Sequence, residues 1–111
     1  MKLKDLAHAI EARLLPGSGN AEADIRRVYA GSTMSDLIAH AASDTLIVTS
    51  LNNAQLARVA ELMDVPCLCL VSGKGPSPEL QAAAAGAGTA LMVCAAGLEA
   101  TARALHEVLR S

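Results

Sequence analysis

The chain has 111 residues, 52% hydrophobic and 18% charged, with a formal net charge of −2 and a pI near 5.8. That length suits a single domain, 1–111, closing around one core. The charge balance excludes a basic nucleic-acid footprint, which needs clustered Lys and Arg beside aromatic platforms, and no apolar run is long enough to span a bilayer.

Leu3, Leu6, Ala7, Ile10 and Leu14 recur at helical spacing and predict a short amphipathic opening helix, stopped by the breaker cluster Pro16-Gly17-Ser18-Gly19-Asn20. Arg13–Leu15 also reads as a short fifth strand. Ile25 to Ala30 is a strand closed by Gly31, and Ser32 or Thr33 caps a helix carrying Met34, Leu37, Ile38 and Ala41 on one face, ending at Ser43-Asp44. Thr45-Leu46-Ile47-Val48-Thr49 is a continuous β-branched and apolar run, the mark of a strand buried on both faces.

Ser50-Leu51-Asn52-Asn53 turns the chain into a helix bearing Leu56, Val59, Ala60 and Met63. Pro66 opens the strand Cys67–Val71, and Ser72-Gly73-Lys74-Gly75-Pro76-Ser77-Pro78 is the longest loop signal. Glu79 to Ala85 is helical and ends at Gly86-Ala87-Gly88; Thr89 to Cys94 is the last strand. Ala95-Ala96-Gly97 leads into a closing helix with Leu98, Ala102, Leu105 and Leu109 inward. Strands alternating with helices at this spacing mean right-handed βαβ units. The predicted fold is a three-layer α/β/α sandwich on a mostly parallel sheet of about 4–5 strands. A core of Ala, Leu, Val and Ile, with no Trp or Phe and a single Tyr, suits helices packed closely on such a sheet.

These residues, from Lys2 to about Leu109, resemble the DRTGG domain. It is a small α/β module that stands alone, occupies the middle of some phosphotransacetylases, or sits between cystathionine-synthase-type domains in certain pyrophosphatases. It is similar to the N-terminal domain of HPr kinase. The early signature of that family is an aspartate and a basic residue, a Val-rich strand and a Gly-Asp-Leu-Leu-Ser-Asp type turn. It falls here on Asp24, Arg26 or Arg27, Val28, Gly31, Ser32, Met34, Ser35 and Asp36. A second signature, an apolar strand ending in Thr-Gly-Gly with Pro shortly after, falls on Leu70-Val71-Ser72-Gly73-Lys74 and Pro76 or Pro78. Ser32 replaces an acidic residue, Ser72 a threonine and Lys74 the second glycine. The resemblance implies a regulatory or homo-oligomerising module of a bacterial cytosol without catalytic residues of its own. Kinase activity is not implied, because Gly73-Lys74-Gly75 lacks the P-loop spacing.

Ligands of parallel α/β sheets collect where loops leave the carboxyl ends of the strands. The candidate binding residues are Gly31, Ser32 and Thr33 in one such loop, Ser50 and Asn52 in the next, and Ser72, Gly73 and Lys74 in a third; Ala95-Ala96-Gly97 forms a fourth. Backbone N–H groups there are able to hold a phosphate or carboxylate. The plainer reading is that glycines and hydroxyls are what strand-to-helix turns and caps require. Asp36, in the first turn of its helix, is accounted for by the helix dipole, and His40, one turn later, is placed to pair with it. Cys67 and Cys69 share one face of a strand with Cys94 nearby. Such thiols in a buried run are ordinarily small hydrophobes, and a zinc site wants a fourth ligand on loop-borne spacing. Arg26-Arg27, Arg13 and Lys2-Lys4 form a solvated face interleaved with acids.

The first functional expectation is a non-catalytic, cytoplasmic module. It senses a small anionic ligand or docks onto a metabolic enzyme, and it dimerises through the alanine-rich helices or the Met34–Ala42 segment. No cofactor or metal is expected. The alternative is a small phosphotransferase or hydrolase at the strand-end loops, which requires Lys74, Asp36 and Ser50 or Ser72 to converge. A third is a redox scaffold acting through accessible thiols, although the odd cysteine count suits reduced, cytosolic thiols.

Overall fold

A computed structural model describes residues 1–16 and 21–110. The breaker residues Gly17, Ser18, Gly19 and Asn20 lie outside the described residues. The elements are α1 (Leu3–Ala9), β1 (Arg13–Leu14), β2 (Arg27–Ala30), α2 (Met34–His40), β3 (Thr45–Thr49), α3 (Ala54–Leu62), β4 (Cys67–Leu70), α4 (Pro78–Ala87), β5 (Ala90–Val93) and α5 (Leu98–Arg110). The sheet runs β1-β5-β4-β3-β2, parallel from β2 to β5, with β1 antiparallel on the outer edge of β5. It is the expected α/β sandwich, with the short fifth strand present.

Side-chain alternation on the central strands divides the core in two. Leu46, Val48, Cys67, Cys69 and Met92 face one layer, built from Leu3, Leu6 and Leu105 of α1 and α5. Ile47, Leu68, Leu70 and Leu91 face the other, built from Leu37, Leu56 and Leu80 of α2, α3 and α4. Strands β2 to β5 lie side by side in chain order, so successive right-handed crossovers put α2, α3 and α4 on the same face. The chain starts on the other face with α1, and after β5 it returns there, where α5 runs beneath the sheet toward β2.

Several predicted boundaries move, each for a local reason. Leu14 is on β1 rather than on the opening helix, because Glu11 adopts a left-handed φ of 56° and breaks the turn after Ala9. Leu14 then pairs with Met92, and Leu15 N–H donates to Leu91 O at 2.9 Å. Helix α2 stops at His40, since Ala41 is already extended. Of its predicted apolar face only Leu37 is buried, and Ile38 is 46% exposed. Gly86 lies inside α4, and Gly88, with a φ of 73°, makes the left-handed cap. Pro78 opens that helix behind the Ser77 cap, one residue before the expected start at Glu79.

Candidate functional site

The carboxyl ends of β2, β3, β4 and β5 deliver their loops to one rim, and adjacent loops are tied by hydrogen bonds. Ser50 Oγ donates to Ser32 Oγ at 3.1 Å, joining the β2 and β3 loops. Asn52 Nδ2 donates to Gly75 O at 2.9 Å and its Oδ1 accepts from Ser77 N–H at 2.7 Å, joining the β3 and β4 loops. Ser72 N–H donates to Ala96 O at 2.7 Å and Gly73 N–H to Cys94 O at 2.9 Å, joining the β4 and β5 loops. The last pair depends on two successive left-handed residues, Ser72 at φ 61° and Gly73 at φ 70°. For serine this region is uncommon and strained.

Chains leaving β4 and β5 go to opposite faces of the sheet, and such a divergence is where an open α/β sheet ordinarily forms its ligand crevice. Here the Ser72 and Gly73 bonds close it. The open hollow lies one strand further in, between β3 and β4. It measures about 70 Å³ and is lined by Thr49, Ser50, Leu51, Asn52, Leu70, Val71, Ser72 and Lys74. It has room for a small polar group. The N-termini of α3 and α4 open beside it, each capped by its own side chain: Asn53 Oδ1 accepts from Leu56 N–H, and Ser77 Oγ from Leu80 N–H, both at 3.1 Å. Their remaining N–H dipoles and the Lys74 ammonium favour negative charge there. No carboxylate is among the lining residues, and Lys74 makes no ion pair among the described residues.

Four of the predicted residues, Ser50, Asn52, Ser72 and Lys74, line this hollow together. Both polar ends of the Asn52 amide are occupied by the neighbouring loop, so its side chain shapes the hollow more than it offers donors to it. Gly73 stands beside it with its N–H committed to Cys94. Gly31, Ser32 and Thr33 are one loop away. Thr33 takes the N-cap position of α2 but its side chain accepts no backbone N–H; its hydroxyl donates to Asp36 Oδ2 at 2.8 Å. Gly31 needs its lack of a side chain for space, since a Cβ there would meet the Tyr29 ring at 3.0 Å.

His40 does not pair with the Asp36 carboxylate. Its Nδ1–H donates to the Asp36 backbone carbonyl at 2.9 Å while its ring stacks on Tyr29, with centroids 3.9 Å apart. Thr49 was missing from the predicted set. It is fully buried at the floor of the hollow, with Oγ1 accepting from Leu51 N–H at 3.1 Å. Its signal was a hydroxyl ending a β-branched run just before a polar loop.

All three cysteines are buried. Burial pushes the Cys67 thiol well up; burial, then the neighbouring Cys94, pushes Cys69 up to about 12. Protonated, enclosed thiols are poor nucleophiles, and among the described residues no group of three or more His, Cys, Asp or Glu is placed to hold a metal. Also among the described residues, no helix is long and apolar enough to cross a membrane.

No family model matches the sequence, and no curated protein matches it. The fold is similar to the crystal structure of the CBS and DRTGG domains of the regulatory region of Clostridium perfringens pyrophosphatase, complexed with its activator diadenosine tetraphosphate. The TM-score is 0.70 at 12% identity, over 94% of this chain and 45% of that one. This chain therefore spans less than half the length of that neighbour, and at that identity the likeness speaks for the fold.

Proposed function

We propose that this domain is a DRTGG-type regulatory module that holds the anionic head group of a small metabolite at its rim without transforming it. The carrying observation is the hollow between β3 and β4, where Ser50, Ser72 and Lys74 converge beside two helix N-termini with no carboxylate among them. Hydroxyls, a lysine and helix dipoles suit recognition of a phosphate or carboxylate. A catalytic site needs in addition a general base within reach of a nucleophile. Asp36, the base that an enzyme reading requires, is not among the lining residues, and its carboxylate accepts from Thr33. The structural neighbour belongs to the regulatory region of an enzyme and was solved with a nucleotide activator, which supports a regulatory role for a module of the same fold.

Self-association as a homodimer and docking onto a metabolic enzyme in the cytoplasm belong to the same proposal. The exposed Ile38 on α2 and Leu62 at the end of α3, 46% and 81% accessible, supply apolar surface for a partner. Sedimentation velocity across a concentration series checks the dimer; a monomer at every concentration rejects it. The ligand is sought by a thermal-shift screen with nucleotides and phosphorylated metabolites, because a compound that binds the native state raises its melting temperature. A hit whose shift disappears in Lys74→Ala supports the rim site. Hits that stabilise wild type and Lys74→Ala equally reject it.

A further inference from the structure

The opposite end of the molecule carries a separate concentration of cationic groups. Arg26, Arg27 and Val28 at the start of β2 and His106, Leu109 and Arg110 at the end of α5 border a shallow, open cleft of about 340 Å³. It adjoins a hollow of about 680 Å³ that shares Arg26 and Leu109 and adds Met1, Asp24, Ile25 and Val108. We propose that this cleft is a second anion site, distinct from the rim, that binds a di- or triphosphate group.

Three guanidinium groups face one cleft with donors to spare. Arg26 gives only its Nε to Asp24 Oδ2, at 3.2 Å. Arg27 gives Nε and Nη2 to Asp44 Oδ1, at 3.3 and 2.9 Å, leaving its second terminal amine. Arg110 makes no ion pair among the described residues. The planar fork of a guanidinium matches phosphate oxygens two at a time. His106 Nε2–H donates to Val28 O at 3.1 Å across 78 residues, fixing the helix wall to the strand wall. Val28 and Leu109 give the cleft an apolar floor that keeps water from one side of a bound group.

The surroundings also set the charge the ligand must carry. Asp24 and Asp44 already engage two of the arginines, while Glu107 and the last carbonyls of α5 add negative potential. A singly charged carboxylate gains too little against these neighbours. A phosphate chain carrying several charges engages all three forks and displaces the exposed pairs, which hold weakly in water.

Backbone amide NMR tests this in the intact chain at low ionic strength, with inorganic tripolyphosphate as the probe and ATP and orthophosphate as comparison arms. Tripolyphosphate is expected to shift Arg26–Val28 and His106–Arg110 in wild type and in Lys74→Ala alike, whatever it does to Ser50 and Ser72 at the rim, and to bind this cleft more tightly than orthophosphate. Equal affinity for tripolyphosphate and ATP identifies the phosphate chain as the recognised part. Tighter ATP binding with the same amides shifted adds the nucleoside on the apolar floor. In the double variant Arg26→Gln/Arg110→Gln, affinity falls about tenfold or more, with an otherwise native spectrum because both side chains are exposed. Lys74→Ala leaves the affinity unchanged, which separates this site from the rim. No shift in the cleft at millimolar tripolyphosphate, or unaltered affinity in the double variant, overturns the proposal.

Discussion

The two ends of the sheet use polar groups in opposite ways. At the carboxyl end, neutral hydroxyls, one amide and backbone N–H groups bond from loop to loop, and the single cation in the hollow is left without an ion pair among the described residues. At the amino end, charged side chains are drawn into exposed ion pairs, with cations in excess: Met1 and Arg26 on Asp24, Lys2 and Lys4 on Glu22, Arg27 on Asp44. Neutral bonds between neighbouring loops, one of them part-buried at Ser77 N–H, use short side chains and backbone and lose little side-chain entropy. Exposed ion pairs between long side chains are screened by water and salt and hold little. The loop-to-loop bonds therefore tie the rim together, and the ion pairs at the amino end do little to fix the side chains that make them.

Substitution at the two ends sharpens or breaks that contrast. Asn52→Ala has the largest expected effect: it removes two bonds to the β4 loop, one of them from the part-buried Ser77 N–H, and urea denaturation should show a loss of about 1.5 kcal/mol. Thr49→Val follows, because it keeps the shape of a fully buried side chain but removes the acceptor for Leu51 N–H; about 1 kcal/mol is expected in the same assay. Arg27→Ala opens an exposed pair with Asp44 and should move the midpoint least, by an amount that vanishes at raised ionic strength. If Arg27→Ala destabilises more than Asn52→Ala, the contrast between the ends is wrong.

Acid titration separates the ends further. Hydrogen bonds from Lys4 and then Lys2 hold the Glu22 carboxyl down to about 2; the N-terminal ammonium lowers Asp24, and Arg27 lowers Asp44. Folded-state values below the unfolded ones mean stabilisation that is complete above about pH 5 and lost as the pH falls through the folded values. Stability is expected to drop modestly between about pH 5 and 2, and the drop should shrink in Lys2→Ala/Lys4→Ala. The thiols give the smallest signal. A thiol reagent should label native protein no faster than the chain opens, since all three cysteines are buried. Immediate labelling of Cys67 or Cys69 would instead revive a redox role.

Much of the architecture was legible because its strands are unambiguous. Thr45–Thr49 and Cys67–Leu70 are apolar on both faces, and only a parallel sheet covered on both sides buries them. Leu14 misled because a residue at helical spacing carries no record of the left-handed turn at Glu11 before it. Gly86 misled because α4, lined with alanines, absorbs one glycine at modest cost. At the site, pattern could locate the loops but not their mutual bonds. Asn52 lies 23 and 25 residues from the groups it joins, and Ser72 reaches across to Ala96. Those long-range contacts decide that the hollow opens between β3 and β4 and that the gap between β4 and β5 is shut.

The most direct test of a rim that binds without converting is phosphorus NMR of a screened phosphorylated ligand mixed with the protein. Binding without chemistry predicts broadened ligand resonances, sharp again with Lys74→Ala, and no new signals after prolonged incubation. New resonances that appear with wild type and vanish with a folded Ser72→Ala variant would contradict it.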